Sequence, residues 1–437
     1  MDPTLLTCLI VKFGTKIIDD IALNMPNIVY NGYKPPARIF DNDELKFVVD
    51  KVKSNTKVEL VKGVNRSLYN DLIKQKKLYE KGNYAQLLRD FRDHPAVNPF
   101  SELPRLYTVR SGLKLANIDG ILTFIPTIDS NKYEDAKDME AFSTPGIYHL
   151  DMGGAPGGFI DYVNDRSGGS TCVSFSLNSS KDKEALKWND KLLERMGTNL
   201  EIDNGKDDTG NIYTNWDYWG KKYGNDFDVA TGDIGFRTED WERKEILMQK
   251  IILHELWVGT KCLAKGGNLI VKTMDFITKG SIQMLEMISR CYDTMYVMKP
   301  VTSRPTNEEK YVIFMGKRST DIVDPILNRM IALIKLLESK DLMYIKSLRT
   351  SQSEQNQDYV NFANWINQMS NYFIKDEYDH TRILVEAFEQ YKTSTEINKH
   401  FNKLIQNNLV PQYDLNKVLT SWRVEDFLGD MIDSENC

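Results

Sequence analysis

Three charged residues stand where alternating strands and helices would place their chemistry. Asp233 follows the apolar run 227–231 in Gly232-Asp233-Ile234-Gly235-Phe236, Lys272 ends the run 268–271, and Glu309 precedes the run 311–314. Doubly wound sheets bind ligands in the crevice outside the carboxyl ends of their strands. A lysine that ends a buried strand is most often simply solvated, so the set says more than any one member. Together they suit proton chemistry. Burial drives an amine toward its neutral, proton-accepting form, whereas neighbouring carboxylates oppose that and orient it.

The stretch around which the chain is organised is Leu150-Asp151-Met152-Gly153-Gly154-Ala155-Pro156-Gly157-Gly158-Phe159. An apolar run, 147–150, leads into it, and Phe159, Ile160, Tyr162 and Val163 follow with helical spacing. This reads as strand, glycine-rich turn and helix. Glycines let the backbone approach a ligand with no Cβ in the way, and the helix start offers free N–H groups. Ala155 and Pro156 break the G-x-G-x-x-G spacing, which argues against a pyrophosphate-binding dinucleotide turn. A tight strand-to-helix turn with no ligand explains the stretch equally well.

The elements that must position these residues lie between 146 and 317. Strands are predicted at 147–150, 171–175, 226–231, 268–271, 294–298 and 311–314, with helices over 240–262 and 281–291. Short apolar runs separated by helices are the α/β pattern of buried parallel strands. Before them, helical spacing is read at 43–52 (Leu45, Val48, Val49, Val52), 67–79, 83–91 and 107–118. The basic run Lys74-Gln75-Lys76-Lys77 could touch phosphates, but such a run is more often a solvated helix face. After Arg318 the pattern turns helical. Asp324 and Pro325 are expected as N-cap and first turn, with further helices over 359–374, 380–391 and 397–405 and a flexible join near 349–358. Three regions are expected: 1–97, mixed to helical; 98–320, the α/β domain; and 321–437, all helical.

The chain has 437 residues and a net charge of −6, so any nucleic-acid binding must rest on a local basic patch. No run approaches the ~20 apolar residues of a membrane span, and 5–11 lacks the flanks of a signal peptide. The cysteines, Cys8, Cys172, Cys262, Cys291 and Cys437, are scattered without a Cys-x-x-Cys pair. That pattern indicates a reducing compartment and neither a zinc site nor a disulfide framework.

Residues 98–318 resemble FtsJ/RrmJ-like ribose 2′-O-methyltransferases, and among them the cap-specific mRNA (nucleoside-2′-O-)methyltransferases of the cap-1 type. The resemblance is carried by Arg110-Ser111-Gly112-Leu113-Lys114-Leu115-Ala116-Asn117-Ile118-Asp119, the turn 153–159, Gly232-Asp233-Ile234-Gly235-Phe236, and Leu269-Ile270-Val271-Lys272-Thr273-Met274-Asp275-Phe276. The last piece is Lys299-Pro300-Val301-Thr302-Ser303-Arg304-Pro305-Thr306-Asn307-Glu308-Glu309-Lys310-Tyr311-Val312. These arrive in family order over about half the chain. The acidic motif near the adenine departs from the family as Asp208-Thr209-Gly210-Asn211-Ile212, with Asn211 standing for a carboxylate. The resemblance does not extend to residues 1–97 and 321–437.

The resemblance implies a Rossmann-like, mostly parallel doubly wound sheet and the cofactor S-adenosyl-L-methionine. It implies a tetrad of Lys114, Asp233, Lys272 and Glu309, with Lys272 as general base and no metal. Cofactor contacts are expected from Asp151, Gly153, Gly154, Ala155, Pro156, Gly157, Gly158, Phe159, Asn211, Ile212 and Asp233, and Gly157→Val is expected to clash with the ligand. For Lys272 to work near neutrality its pKa must fall from ~10.4 to ~7, about 4 kcal/mol. The implied substrate is the first transcribed nucleotide of capped RNA. Lys299, Arg304, Lys317, Arg318, Arg105 and Arg110 are the candidate RNA contacts. Capping or transcription machinery would dock on the flanking regions, inside the cell in nucleus or cytoplasm, or in the cytoplasm or virion for a viral enzyme. Methylation of ribosomal or transfer RNA, a non-catalytic RNA-binding subunit, and a small-molecule methyltransferase are the competing readings.

Overall fold

In the computed structural model the strands expected between 146 and 317 join one seven-stranded sheet. It describes residues 32–41, 43–79, 84–103, 106–122, 125, 146–236, 238, 240–339, 341–407 and 409–410. Residues 5–11, Cys8, Arg105 and Cys437 lie outside this set. In chain order the elements are β1 (Leu45–Lys51), α1 (Arg66–Leu78), α2 (Tyr84–Phe91), α3 (Ser111–Leu122), β2 (Ile147–Met152), α4 (Gly158–Arg166) and β3 (Ser170–Phe175). Then come α5 (Asp190–Met196), β4 (Leu200–Ile202), α6 (Ile212–Lys222), β5 (Phe227–Gly232), α7 (Lys244–Cys262), β6 (Leu263–Thr273), α8 (Lys279–Ser289), β7 (Tyr292–Met298) and β8 (Lys310–Lys317). The chain closes with α9 (Thr320–Leu337), β9 (Met343–Arg349), α10 (Gln357–Gln390) and α11 (Ser394–Gln406).

The sheet order is β4-β3-β2-β5-β6-β8-β7. All neighbours are parallel except at β8, which runs antiparallel to both β6 and β7. From β2 the chain steps outward through β3 and β4, then returns to β5 and steps the other way. The switch point therefore lies between β2 and β5, where the connections leaving their carboxyl ends run to opposite sides and leave a crevice. Because β8 is reversed, its first residues meet the last of β6: Lys310 pairs with Thr273, and Tyr311 with Lys272. That one reversal brings Glu309 to the end of the sheet that carries Lys272. Helices cover both faces. Leu253, Leu256 and Trp257 of α7 pack on one, while Leu113, Leu115 and Ile118 of α3 join Tyr162 and Val163 of α4 on the other.

The flanking regions differ from the sequence reading. Residues 43–52, expected as a helix, contain strand β1. Leu45, Phe47 and Val49 turn toward the core while Lys46, Val48 and Asp50 are exposed, the period-2 pattern of a strand. Its partner is β9, antiparallel, so 321–437 is not all helical. Pro325 does not open its helix; α9 starts at Thr320 with Ser319 as N-cap. The ring removes the hydrogen bond to the carbonyl of Asp321, an exposed residue that water can serve. The two helices expected over 359–391 are one 34-residue helix, α10. The expected flexible join is anchored: Ser353 Oγ donates to the Glu44 carbonyl at 2.6 Å, and Arg349 pairs with Glu286 at 3.0 Å. Both flanks also grip the loop after β6. Val61 N donates to Ile277 O at 2.8 Å, and Ser370 Oγ to Phe276 O at 3.0 Å.

Candidate active site

At the carboxyl end of β2 the chain turns sharply. Gly153 adopts φ 75° and Gly157, the N-cap of α4, adopts φ 114°, values that favour glycine. A Cβ on Gly157 would lie 2.0 Å from Leu192 Cδ2 of α5, and one on Gly158 2.1 Å from Ser111 Oγ of α3. Neither lines the cleft; packing against these side chains demands glycine at both, and a side chain at 157 would clash with Leu192. Asp151, Gly153, Gly154, Ala155, Pro156, Phe159, Asn211, Ile212 and Asp233 do line a cleft of about 940 Å³ at the switch point. Leu177, Glu184 and Leu186, which the sequence did not single out, complete the end near Asn211, and Lys244, Lys272, Met274 and Glu309 the other. Asn211 itself caps α6, accepting from Tyr213 N at 2.9 Å.

Asp151 is 1% exposed. Its Oδ1 accepts from Thr231 Oγ1 at 2.6 Å, and Thr231 in turn contacts His149 Nε2 at 2.7 Å. Its Oδ2 is buried without a hydrogen-bond partner among the described residues. Burial pushes the Asp151 carboxyl up to about 7, against the Thr231 hydrogen bond that lowers it. A buried acceptor facing a cleft with both polar and apolar lining fits a cationic, nucleoside-sized ligand.

The four charged residues of the tetrad meet at the cleft's other end. Lys272 Nζ lies 2.8 Å from Asp233 Oδ1 and donates to the Asp233 carbonyl at 2.8 Å. Lys114, on the first turn of α3, pairs with Glu309. Tyr311 joins the two pairs. Its hydroxyl sits 3.0 Å from Asp233 Oδ1, 3.1 Å from Glu309 Oε1 and 3.4 Å from Lys114 Nζ. Ser303 Oγ donates to Glu309 Oε1 at 3.0 Å. Sequence reading absorbed Tyr311 into an apolar strand; its place two residues after Glu309, on the same strand face, was the available signal.

Neighbouring charges set the protonation of Lys272 and Glu309. Burial alone would lower Lys272, but Asp233 and then Glu309 outweigh it and raise the lysine above its ordinary value. Burial would raise Glu309, but Lys114 and Lys272 hold it down at about 2. The drop toward 7 expected for Lys272 is thus absent from the ligand-free cleft, because a carboxylate at 2.8 Å favours the ammonium more than burial disfavours it.

Of the residues expected to touch RNA, only Arg110 and Arg304 among the described ones lie near the cleft. Arg304 Nε reaches both Asp93 oxygens at 3.1 Å, and Arg110 Nη1 reaches Asp93 Oδ1 at 3.3 Å. Arg92 stands 3.8 Å from the same carboxylate, so three guanidiniums share one acid. Lys299 is buried, donating to Pro305 O at 2.8 Å and Asn307 O at 2.5 Å. Lys317 and Arg318 sit at the opposite end of β8 from Glu309. Lys317 donates to Asn225 Oδ1 at 2.9 Å, and Arg318 to the carbonyls of Pro35 and Pro36 at 2.8 and 3.2 Å. None of these three faces the cleft. Among the described residues no group of three or more His, Cys, Asp or Glu is arranged to hold a metal, and no helix is long and apolar enough to cross a membrane.

A doubly wound sheet with one reversed strand and a glycine turn at the switch point give this domain a Rossmann-type methyltransferase fold, with a lysine–carboxylate cluster beside the turn. Residues 107–317 match the family model described as FtsJ-like methyltransferase. Among curated proteins it is 28% identical over 237 residues to "Cap-specific mRNA (nucleoside-2'-O-)-methyltransferase 1" of Drosophila melanogaster, covering 52% of this chain and 29% of that one. The proteins of the same name from Xenopus laevis and Homo sapiens are each 28% identical, over 50% and 52% of this chain and 27% and 28% of theirs. The chain therefore spans under a third of the length of these relatives. FtsJ-like methyltransferases generally use S-adenosyl-L-methionine.

Proposed function

We propose that the chain methylates the ribose 2′-oxygen of the first transcribed nucleotide of capped RNA, converting cap-0 to cap-1, with residues 98–320 carrying the reaction. The observation that supports this most is the meeting of Lys114, Asp233, Lys272 and Glu309 around the Tyr311 hydroxyl at one end of the cleft. S-adenosyl-L-methionine, when bound, supplies an electrophilic methyl group. Asp151, with its unpaired Oδ2, and the backbone of Gly153, Gly154 and Ala155 would hold it. Leu177, Leu186, Asn211 and Ile212 would enclose its nucleoside.

The protein's own work is then positional and acid–base. Lys272 lines this end of the cleft and takes the 2′-hydroxyl proton once its amine is neutral. Asp233 fixes that amine's direction. Lys114 and Tyr311 hold Glu309 so that its charge reaches Lys272 at a fixed distance. In the ligand-free site both carboxylates keep Lys272 charged. Release of its proton therefore requires positive charge and excluded water in the cleft, which favour the neutral amine. Arg110 and Arg304 lie beside the cluster, where an RNA chain entering the cleft would pass. The flanking regions, 1–97 and 321–437, are where capping or transcription machinery would dock, in nucleus or cytoplasm.

The test is methyl transfer from labelled cofactor to cap-0 RNA, uncapped RNA of the same sequence and ribosomal RNA, with the labelled nucleotide mapped. Label on the 2′-oxygen of the first nucleotide, only when the cap is present, supports the reading. Label on internal riboses of ribosomal RNA would move the substrate to that class, and label on a base would remove the ribose assignment.

A further inference from the structure

Glu309 sits in the connection between β7 and β8, and its neighbours on either side are held from behind. Side chains alternate along extended backbone, so when Glu309 faces the cleft, Glu308 and Lys310 face away from it. Lys310 is buried and pairs with Asp275, in the loop that follows β6. Glu308 Oε2 lies 3.0 Å from Lys76 Nζ, and Glu308 also pairs with Lys244 at the start of α7. Lys76 in turn pairs with Glu377 of α10. The side chains of Lys76, Glu308 and Glu377 are 4%, 6% and 0% exposed. Lys76 belongs to the basic run of α1, whose sequence suggested phosphate contact or a solvated face; it does neither. Burial would lower Lys76, but Glu308 and Glu377 outweigh it and keep the lysine charged.

We propose that Lys76 and Glu377 are positioning residues for Glu309: one from each flanking region, they lock Glu308 from behind and so fix the backbone that presents Glu309 to Lys114 and Tyr311. The inference rests on the tetrad reading for what Glu309 does. It assigns the flanking helices a part in the reaction. Residues 107–317, the part that matches the family, contain neither Lys76 nor Glu377. The lock holds two positive and two negative charges, Lys76, Lys244, Glu308 and Glu377. Loss of one member leaves a buried charge unmatched. Loss of Lys76 and Glu377 together leaves Lys244 and Glu308 paired.

The experiment compares full-length wild type, Lys76→Met, and the double variant Lys76→Met/Glu377→Gln. It reads thermal stability, hydrogen exchange over 299–310, cofactor affinity by calorimetry, and single-turnover methyl transfer to cap-0 RNA. The double variant is expected to recover stability relative to Lys76→Met. Its exchange over 299–310 should still rise about tenfold. Its rate constant should fall on the order of 10- to 100-fold, with cofactor affinity kept within about twofold. A merely structural role predicts instead that rate recovers with stability. Unchanged exchange over 299–310 in the double variant overturns the lock, whatever the activity. So does faster exchange with a wild-type rate. If wild type itself transfers no methyl group to RNA, the tetrad reading fails while the exchange comparison still decides the lock.

Discussion

Replacing Tyr311 with phenylalanine removes one oxygen and leaves the buried ring in place. That oxygen stands 3.0 Å from Asp233 Oδ1 and 3.1 Å from Glu309 Oε1, and its one proton can serve only one of them at a time. Hydrogen bonds to charged groups contribute about 1.5–3 kcal/mol. Each carboxylate keeps a lysine in the variant, so we expect the lower end, about 1.5 kcal/mol of lost stability. The rate should suffer more. Without the hydroxyl nothing neutral separates Asp233 from Glu309, and their repulsion moves both relative to Lys272. A displacement near 1 Å can cost ~10²-fold, so kcat should fall about 10- to 100-fold. Cofactor binding, at the other end of the cleft, should stay within about twofold. Single-turnover transfer to cap-0 RNA measures the first, calorimetry the second, and a denaturation curve the stability. A Tyr311→Phe enzyme with wild-type kcat refutes the idea that this hydroxyl organises the cluster.

Three further outcomes follow from the same geometry. Asp151 moves from an ordinary 3.8 to about 7 on folding, so it stabilises the ligand-free fold fully below pH 4 and progressively less as pH rises to 7. The loss is on the order of 4 kcal/mol; denaturant midpoints of Asp151→Asn should lack that slope while its cofactor affinity drops, and an unchanged slope would contradict the burial argument. Gly157→Ala drives a methyl into Leu192 at a positive φ, which should cost about 2–4 kcal/mol in stability while the folded fraction binds cofactor almost normally; a selective loss of affinity without loss of stability would restore Gly157 as a ligand contact. Arg304→Gln should weaken cap-0 RNA binding and reduce the slope of log affinity against log salt by about 0.7 if it meets one phosphate; an identical slope would remove Arg304 from the RNA path.

The central sheet was legible because its strands are short apolar runs between helices and its charged residues sit at their ends. Asp233, Lys272 and Glu309 converge because β8 runs backwards beside β6, a reversal the local pattern does not encode. Lys114 required the family resemblance, since one lysine on a helix carries no signal of its own. Strand β1 was misread because Leu45, Val48, Val49 and Val52 fit helical spacing; Phe47 completes the competing period of two, and pairing with β9, about 300 residues later, decided between them. Apart from the motif 208–212, the run 176–225 gave no expectation and no element was read in it, so α5, β4 and α6 went unread, and with them Leu177 and Leu186. At Gly157 and Gly158 sequence cannot tell a close approach to cofactor from one to Leu192 or Ser111. The protonation of Lys272 was unreadable for a similar reason. Burial and a carboxylate 2.8 Å away pull in opposite directions, and only distance says which wins.

The most direct measurement is the single-turnover rate of wild type, Lys272→Ala and Lys272→Arg on cap-0 RNA, each across pH and with cofactor bound. Arginine keeps the positive charge but cannot give up its proton near neutrality. If Lys272 takes the 2′-hydroxyl proton, the arginine variant is almost as inactive as alanine. The wild-type rate then rises with pH through the lysine's pKa in the loaded site, and both variants bind cofactor almost normally. An arginine variant with substantial activity and a flat wild-type pH profile would leave Lys272 as an electrostatic partner only and contradict its assignment as the base.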